Sequence, residues 1–409
     1  MVSARNVSTA NFRTLTRVRS FLNEKNAKYE VCDFSPFHTE EEIERTISRL
    51  GMGLLEAVPL HIEGEGLILA ILPSSLAIDL TEFSKLLAPR QVRPLSPDEI
   101  RQRLSLGEST NVIPPLGGLF GLESFLSPLI EQQRMVGFFI DSTKTLITLE
   151  SQEFRRTLCK TSLVPIPTRT KYRAYASPGR KTNERCILGV SLENADFHTT
   201  KLITITDWIR NHYADCLVML GDGLHRITLQ LDSNVPENEA LEYSKWLARD
   251  FVYSQLSVFS VKESTYQFVF KFCSEVQDTQ CYRDYYRQLQ ALSTDDKEFQ
   301  NSIEAFSHEF LRRKPQRKEH SDTHMEMSCK YLLEELAVIC CLAQDVPCTF
   351  VYPGSLTILQ EIAAGRHPNV PACLLQIDYI ELKLKCRQKN ARNNNERNRG
   401  NARSNRSSA

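Results

Sequence analysis

Apolar positions along the chain follow two different periods. Over residues 12–25, Leu15, Val18, Phe21 and Leu22 recur at three- and four-residue spacing, which predicts an amphipathic helix. Thr39 followed by Glu42 has the form of a capping box and predicts a second helix, with Ile43 and Ile47 inward. Two strand-like runs follow, 58–62 and 67–72, with Glu63, Gly64, Glu65 and Gly66 as the turn between them. Residues 136–140 and 145–149 predict another hairpin. Together these elements predict a mixed α/β domain with a largely hairpin-built sheet.

From Cys186 the order of parts changes. Residues 187–190 form a short apolar strand, closed by Ser191, Leu192, Glu193 and Asn194. Residues 199–212 have helical period, with Leu202, Ile205 and Ile209 on one face and Trp208 beside them. Residues 216–220 are a second apolar strand. Strand, helix, strand in this order predicts a βαβ unit with parallel strands. Ser191 then stands just past the carboxyl end of a parallel strand, where open α/β sheets bind ligands. A serine there is either a nucleophile or a turn-forming residue.

Residues 325–343 predict a long helix. Lys330, Glu334, Cys341, Gln344 and Asp345 mark its wet side, and Leu332, Leu336 and Ile339 the opposite one. Tyr331 and Glu335, one turn apart, share a face with Val338 and Leu342. Glu335 is therefore expected to point toward apolar neighbours and Glu334 outward. An inward carboxylate needs a cationic or hydrogen-bonding partner, because burying it alone costs several kcal/mol; otherwise it reaches past the edge of the face to water. A strand at 348–352 follows, stopped by Pro353.

Length and composition set the frame for these elements. A chain of 409 residues with 41% hydrophobic positions is expected to hold two domains with ordinary cores. No apolar run approaches the ~18 residues that span a bilayer. Residues 1–20 are polar with scattered arginines, so no secretory signal, no membrane partner and a cytoplasmic location are expected. Twelve cysteines without a C-x-x-C pair are expected to be reduced thiols. His320 and His324 near Cys329 lack a fourth ligand, and neither a metal nor a cofactor is expected.

The 50 basic and 50 acidic residues cancel, which at first argues against a nucleic-acid partner. The sum hides a sorting. Residues 386–409 hold seven basic residues and one Glu, and residues 155–185 hold nine basic residues and only Glu184. A third basic run, Arg312, Arg313, Lys314, Arg317 and Lys318, sits beside Pro315. The stretch 155–182 also carries Pro165, Pro167, Pro178 and Gly179 and no apolar period. The expected organisation is a first domain at 1–154, a basic linker at 155–182, a second domain at 183–385 and a disordered basic tail at 386–409. The basic segments either keep the protein in solution or contact phosphate.

In the first domain, Leu69-Ala70-Ile71-Leu72-Pro73 followed by Asp79, then Leu95-Ser96-Pro97-Asp98-Glu99, then Val112-Ile113-Pro114-Pro115-Leu116-Gly117 resemble the YbaK-type aminoacyl-tRNA deacylases. That family includes the editing insertion of bacterial prolyl-tRNA synthetases. There the last loop borders the pocket for the misattached aminoacyl group. The family usually places a lysine at the start of the first strand, but Glu56-Ala57-Val58-Pro59-Leu60-His61 has none. Asn111 stands where a glycine is frequent. Without that cation, the resemblance implies a domain that binds tRNA ends or supports the fold rather than an active deacylase.

In the second domain, Gly189-Val190-Ser191-x-x-Asn194, Asp222-x-x-His225-Arg226-x-x-Leu229, Tyr331-x-x-x-Glu335 and Val351-Tyr352-Pro353 occur in an order that resembles the cyclodipeptide synthases. These Rossmann-like proteins are related to the catalytic domain of class I aminoacyl-tRNA synthetases. They join two aminoacyl groups from two aminoacyl-tRNAs into a diketopiperazine. The resemblance implies that Ser191 accepts the first aminoacyl group as an ester. It implies that Tyr331 and Glu335 hold its α-ammonium, and that Glu335 can act as base in the second attack. Tyr352 would relay a proton in ring closure, and Asn194 would order the loop. Ile187, Gly189, Val338 and Phe350 would line an apolar aminoacyl pocket. Arg312, Arg313, Lys314, Arg317 and Lys318 become tentative tRNA contacts.

The implied scheme is ping-pong transfer through an aminoacyl-serine and a dipeptidyl-serine, closed by intramolecular attack. The ester is already activated, so no ATP is expected, and the chain has neither G-x-G-x-x-G nor G-x-x-x-x-G-K-[ST]. It also lacks the G-x-S-x-G of a serine hydrolase. Two departures stand out. Residues 237–255 hold Lys245 and Arg249 against Glu237, Glu239, Glu242 and Asp250, where the family usually has a basic helix. Asn194 and Tyr352-Pro353 combine features of two subgroups. The alternatives are an aminoacyl-tRNA deacylase and a non-catalytic tRNA-binding module. The latter would be marked by loss of Ser191, Tyr331 or Glu335, and all three are present.

Overall fold

Residues 67–72 are apolar at every position, a pattern that needs a packed neighbour on both faces of a strand. The computed structural model supplies both. It describes residues 4–34, 47, 52–104, 112–140, 145–158, 161–177, 184–233, 235–259, 266–312, 322–344 and 347–387. The chain divides into two units, Met1–Lys171 and Tyr172–Ala409.

The first unit opens with α1 (Ala4–Glu24) and β1 (Glu30–Asp33). Next come β2 (Gly53–Ile62), β3 (Gly66–Pro73), β4 (Leu76–Ile78) and α2 (Leu80–Leu86). Then β5 (Val92–Pro94), α3 (Pro97–Leu104) and β6 (Glu123–Leu126) lead to β7 (Met135–Phe139) and β8 (Thr145–Glu150). The unit ends with α4 (Ser151–Thr157), β9 (Thr161–Leu163) and β10 (Thr168–Thr170). Its main sheet runs β1-β8-β7-β2-β3-β6-β9, with β5 also on β2.

The two expected hairpins are present: β2 pairs antiparallel with β3, and β7 with β8. The β3–β6 and β6–β9 pairs are parallel, so the sheet is mixed. Leu69 and Ile71 pack with Val18 and Leu22 of α1 on one face. Ile68, Ala70 and Leu72 pack with Phe83 of α2 on the other. Ser96 and Glu99 cap the start of α3 reciprocally: the Glu99 amide donates to Ser96 Oγ at 3.2 Å and the Ser96 amide to Glu99 Oε2 at 2.9 Å. Thr39, Glu42, Ile43 and Asn111 lie outside the described residues; Ile47 is helical and buried.

Five parallel strands form the second unit's sheet: β12 (Arg185–Val190), β13 (Asp215–Leu220), β14 (Phe268–Phe272), β15 (Thr349–Tyr352) and β16 (Asp378–Cys386). An earlier strand, β11 (Tyr172–Ala176), runs antiparallel along β16 at the edge. Helix α5 (Thr199–Arg210) links β12 to β13, giving the expected βαβ unit. Between β13 and β14 lie α6 (Asp222–Ser233) and α7 (Glu237–Phe259). Between β14 and β15 come α8 (Cys273–Gln277), α9 (Gln280–Asp295), α10 (Lys297–Arg312) and α11 (Asp322–Ala343). Two short helices, α12 (Thr357–Ala363) and α13 (Ala372–Leu375), precede β16.

The strand order β14-β13-β12-β15-β16 makes this a doubly wound sheet whose direction of growth reverses between β12 and β15. Cys186, Leu188 and Val190 face one core, and Ile187 with Phe350 faces another built largely from α11. No described helix is long and apolar enough to cross a membrane.

The stretch 155–182 is not a free linker where it is described. β9 extends the main sheet of the first unit, β10 pairs with β4, and β11 pairs with β16. Short extended segments can satisfy their backbone by adding to a sheet edge, which needs no apolar period of their own. Its cations also find local partners: Arg155 pairs with Glu131, Arg156 with Glu153 and Lys171 with Glu56. Pro178, Gly179 and residues 388–409 of the basic tail lie outside the described residues.

Candidate active site

Strand order reverses between β12 and β15, and it is outside the carboxyl ends of such a pair that open α/β sheets bind their ligands. Leu188 is level with Val351 across this pair, so both chains leave the sheet together. Ser191 is the first residue past β12, and Tyr352 is the last of β15. Their hydroxyls meet at 2.9 Å. Asn194 holds the loop after Ser191: its Oδ1 accepts from the Asp196 amide at 2.9 Å, and its Nδ2 donates to the Tyr352 hydroxyl at 3.4 Å. Phe197 packs tilted against the Tyr352 ring, with centroids 6.0 Å apart.

Helix α11 delivers the other two polar groups. The Tyr331 phenol faces Ser191, which works against the rise that burial imposes on it. Its ring stacks on Phe310 of α10 at 6.0 Å. Glu335, one turn further along, is 7% exposed, and burial pushes its carboxyl up to about 7. Burial likewise raises the Tyr331 and Tyr352 phenols, with the charge of Glu335 adding to both, so each remains a hydrogen-bond donor. Ser191, Asn194, Tyr331, Glu335 and Tyr352 thus come from three separated segments to one place. The arrangement offers a hydroxyl nucleophile between two phenols, and a buried carboxyl that can exchange a proton near neutral pH.

Behind these groups, Ile187, Val338 and Phe350 are fully buried in one apolar cluster. A Cβ on Gly189 would come within 2.7 Å of Phe350 Cζ and 3.4 Å of Tyr352 Cδ2. A glycine is therefore required for the close packing of β12 against β15. Arg312 ends α10 in an exposed ion pair with Glu309, 2.9 Å between Nε and Oε2. Arg313, Lys314, Arg317 and Lys318 lie outside the described residues.

Glu334 departs from the expected wet face of α11: it is 2% exposed. Arg226 of α6 grips it with both guanidinium arms, at 2.8 and 2.9 Å, and Gln277 of α8 donates to it at 2.8 Å. Glu237 and Lys330 surround the same guanidinium and carboxylate at the rim. The helix is covered on nearly every side, so a helical wheel drawn for one buried stripe assigns Glu334 wrongly. Cys341, also placed on the wet side, is half-buried with its Sγ 2.9 Å from that of Cys281. The Arg226–Glu334 pair was not legible in the sequence, where Glu334 is placed on the outward face. Cys273, buried at the start of α8 close to Glu335, left no signal. Among the described residues no group of three or more His, Cys, Asp or Glu side chains is placed to hold a metal ion.

Residues 180–368 match the family model described as Cyclodipeptide synthase. Similar solved structures include a CDPS from Fluoribacter dumoffii, 18% identical, covering 52% of this chain and 98% of that chain with a TM-score of 0.45. A cyclodipeptide synthase from Bacillus thermoamylovorans is 18% identical and covers 52% of this chain and 96% of its own, with a TM-score of 0.44. One from Candidatus Glomeribacter gigasporarum, bound to Phe-tRNAPhe, is 18% identical over 50% of this chain and 89% of its own, with a TM-score of 0.37. No curated protein matches the chain.

Proposed function

We propose that the second unit is a tRNA-dependent cyclodipeptide synthase. The observation that carries this reading is the contact of Ser191 with Tyr352 at the carboxyl ends of the parallel strands, beside the buried Glu335. The family match of residues 180–368 supports it. Ser191 Oγ attacks the ester carbonyl of the first aminoacyl-tRNA. The C–O bond to the tRNA ribose breaks, the ribose oxygen takes up a proton, and an aminoacyl ester remains on the serine.

Glu335 and Tyr331 hold the α-ammonium of that group. A carboxyl poised near 7 can then take a proton from the ammonium and free the amine. The amine attacks the ester carbonyl of the second aminoacyl-tRNA, the C–O bond to its ribose breaks, the second tRNA leaves with the ribose oxygen protonated, and a dipeptidyl ester remains on Ser191. The new terminal amine attacks this ester, the ring closes, and the serine oxygen recovers a proton through Tyr352. Ring closure is intramolecular and gains the corresponding entropic advantage. Ile187, Gly189, Val338 and Phe350, packed closely behind the serine, are read as the apolar surround of the first side chain. No step calls for ATP.

The first unit is read as a YbaK-related domain that does not deacylate. Glu56, near the place of the family's lysine, is paired with Lys171, so the strand presents no free cation there. The basic tail and the 312–318 run are read as phosphate contacts that take the place of a basic α7. Deletion of residues 388–409 should weaken tRNA binding and flatten its salt dependence; an unchanged affinity and slope removes the tail from the interface.

Charged tRNAs incubated with the full chain should yield a diketopiperazine. Ser191→Ala should abolish it, and a labelled aminoacyl ester should be trapped on Ser191 of the unmodified protein. Undiminished product from the alanine variant would refute the serine assignment. Binding of charged tRNA without turnover would replace the enzyme with a binding module, and rapid hydrolysis of misacylated tRNA by the Ser191→Ala chain would make the first unit an editing domain.

A further inference from the structure

Ser191 opens a tight turn in which the Asn194 amide donates to the Ser191 carbonyl at 3.4 Å. Its third residue, Glu193, has φ +63°, in the left-handed region. Glycine and asparagine enter that region readily, whereas a glutamate does so under steric strain. Among the described residues the other non-glycine case is Asn26, just past the end of α1. Asparagine is common in that setting. Glu193 has no such ready explanation, and it stands two residues past Ser191.

Across from it lies His225, in the first turn of α6. The His225 amide donates to the Gly221 carbonyl at 2.8 Å, and the Gly221 amide donates to the Val190 carbonyl at 3.1 Å. The start of the helix is thereby tied to the strand end that precedes Ser191. The imidazole is buried, and its Nε2 lies 3.3 Å from Oε2 of Glu193 without an aligned hydrogen bond. The contact is one of charge, attractive when the ring carries both protons. Leu192, between Ser191 and Glu193, is buried against Leu247 and Ala248 of α7. The turn is thus held on one side by apolar packing and on the other by this pair.

We propose that His225 is a positioning residue that, through Glu193, holds the left-handed turn aiming Ser191 and Asn194 at Tyr352. It rests on the reading of Ser191 as the nucleophile. His225 meets none of the reacting atoms. If Glu193 relaxed out of the left-handed region, Asn194 would turn away, and its two hydrogen bonds, to the Asp196 amide and the Tyr352 hydroxyl, would be lost together.

The test uses full-length variants and single-turnover transfer of a labelled aminoacyl group from tRNA to Ser191, with thermal melting measured alongside. Glu193→Ala loses the carboxylate but keeps a Cβ in the strained region, and should slow transfer about tenfold. His225→Phe should slow it by a similar factor. Glu193→Gly loses carboxylate and strain together and should cost about twofold or less. Adding His225→Phe to Glu193→Gly should cost little more, because the carboxylate it holds is gone. Equal loss in Glu193→Ala and Glu193→Gly, or the same His225→Phe penalty in both backgrounds, would overturn the proposal and leave His225 as packing. If His225→Phe does not fold, the two variants at the partly exposed Glu193 decide the matter alone. A wild-type chain that never carries label on Ser191 would instead overturn the reading of the nucleophile.

Discussion

Among the described residues of the first unit most ion pairs sit at the surface, as do Arg93 with Glu99, Arg90 with Glu65 and Arg155 with Glu131, and only Lys171 with Glu56 is part-buried. In the second, Arg226 and Glu334 pair at 11% and 3% side-chain exposure, and Glu335 is buried next to them in sequence. Among the described residues, the buried polar groups of the first unit are hydroxyls: Thr14, Ser124, Ser127, Thr148 and Thr157. Those of the second include Asp222, His225, Arg226, Glu334, Glu335 and His367. Both sheets have apolar cover on two faces, so hydrophobic burial does not separate them. The difference is topological. A parallel sheet that reverses its growth leaves an uncovered crevice at one end, and polar groups can converge there without crossing the core. The mixed sheet of the first unit is instead built around the antiparallel β2–β3 hairpin, with parallel pairs on either side of it.

Three substitutions test this contrast, beginning with the largest effect. Glu335→Gln should lower diketopiperazine formation by about a hundredfold or more, the range of a lost general base. It should also stabilise the fold above neutral pH. The carboxyl rises from 4.5 to about 7 on folding, so the native state favours its protonated form. The cost is absent below pH 4.5, grows between 4.5 and 7, and is complete above 7, at about 3 kcal/mol. Urea melts at pH 5 and pH 8 should show the variant gaining on the native chain far more at the higher pH. An equal difference at both would mean that Glu335 is not buried as a carboxylate.

Arg226→Met comes next. It strands Glu334 in the interior and should destabilise the second unit by about 3–5 kcal/mol. The denaturation midpoint followed by the fluorescence of Trp208 and Trp246, the chain's two tryptophans and both in this unit, reports it. Arg93→Ala breaks a two-armed pair with Glu99, whose carboxyl is held down to about 2 chiefly by that arginine. Because the pair lies in solvent, the loss should be slight and shrink further in high salt. If Arg93→Ala proved as costly as Arg226→Met, the distinction between the two units would fail.

Much of the fold was legible along the chain. The four-residue spacing of Val18 and Leu22 marks a helix whose buried side is correct. The apolar runs at 187–190 and 216–220 mark parallel strands. Ser191 could be placed past a strand end, and Glu335 inside a helix, from periodicity alone. Three things were not legible. The strands β9, β10 and β11 are too short and too polar to show a period; β9 and β11 exist because sheet edges offer partners, and β10 because β4 does. Glu334 looks exposed on a wheel because a wheel contains no Arg226. The left-handed backbone at Glu193 leaves no mark in composition, since nothing about a glutamate favours that conformation.

What the amino-acid order determined by itself is local: the period of each element, the residues on its faces, and the strand end at which Ser191 emerges. Periodicity is a property of neighbours in sequence and survives without knowledge of the partner. Only the tertiary structure decided that β12 and β15 lie side by side. That pairing brings Ser191 within 2.9 Å of Tyr352, 161 residues away, and α11 supplies Tyr331 and Glu335 from the core face. It also decided that Glu334 is clamped and that Glu335 titrates near neutrality. Both outcomes depend on which groups water is excluded from, and that follows from packing between distant segments rather than from any one of them.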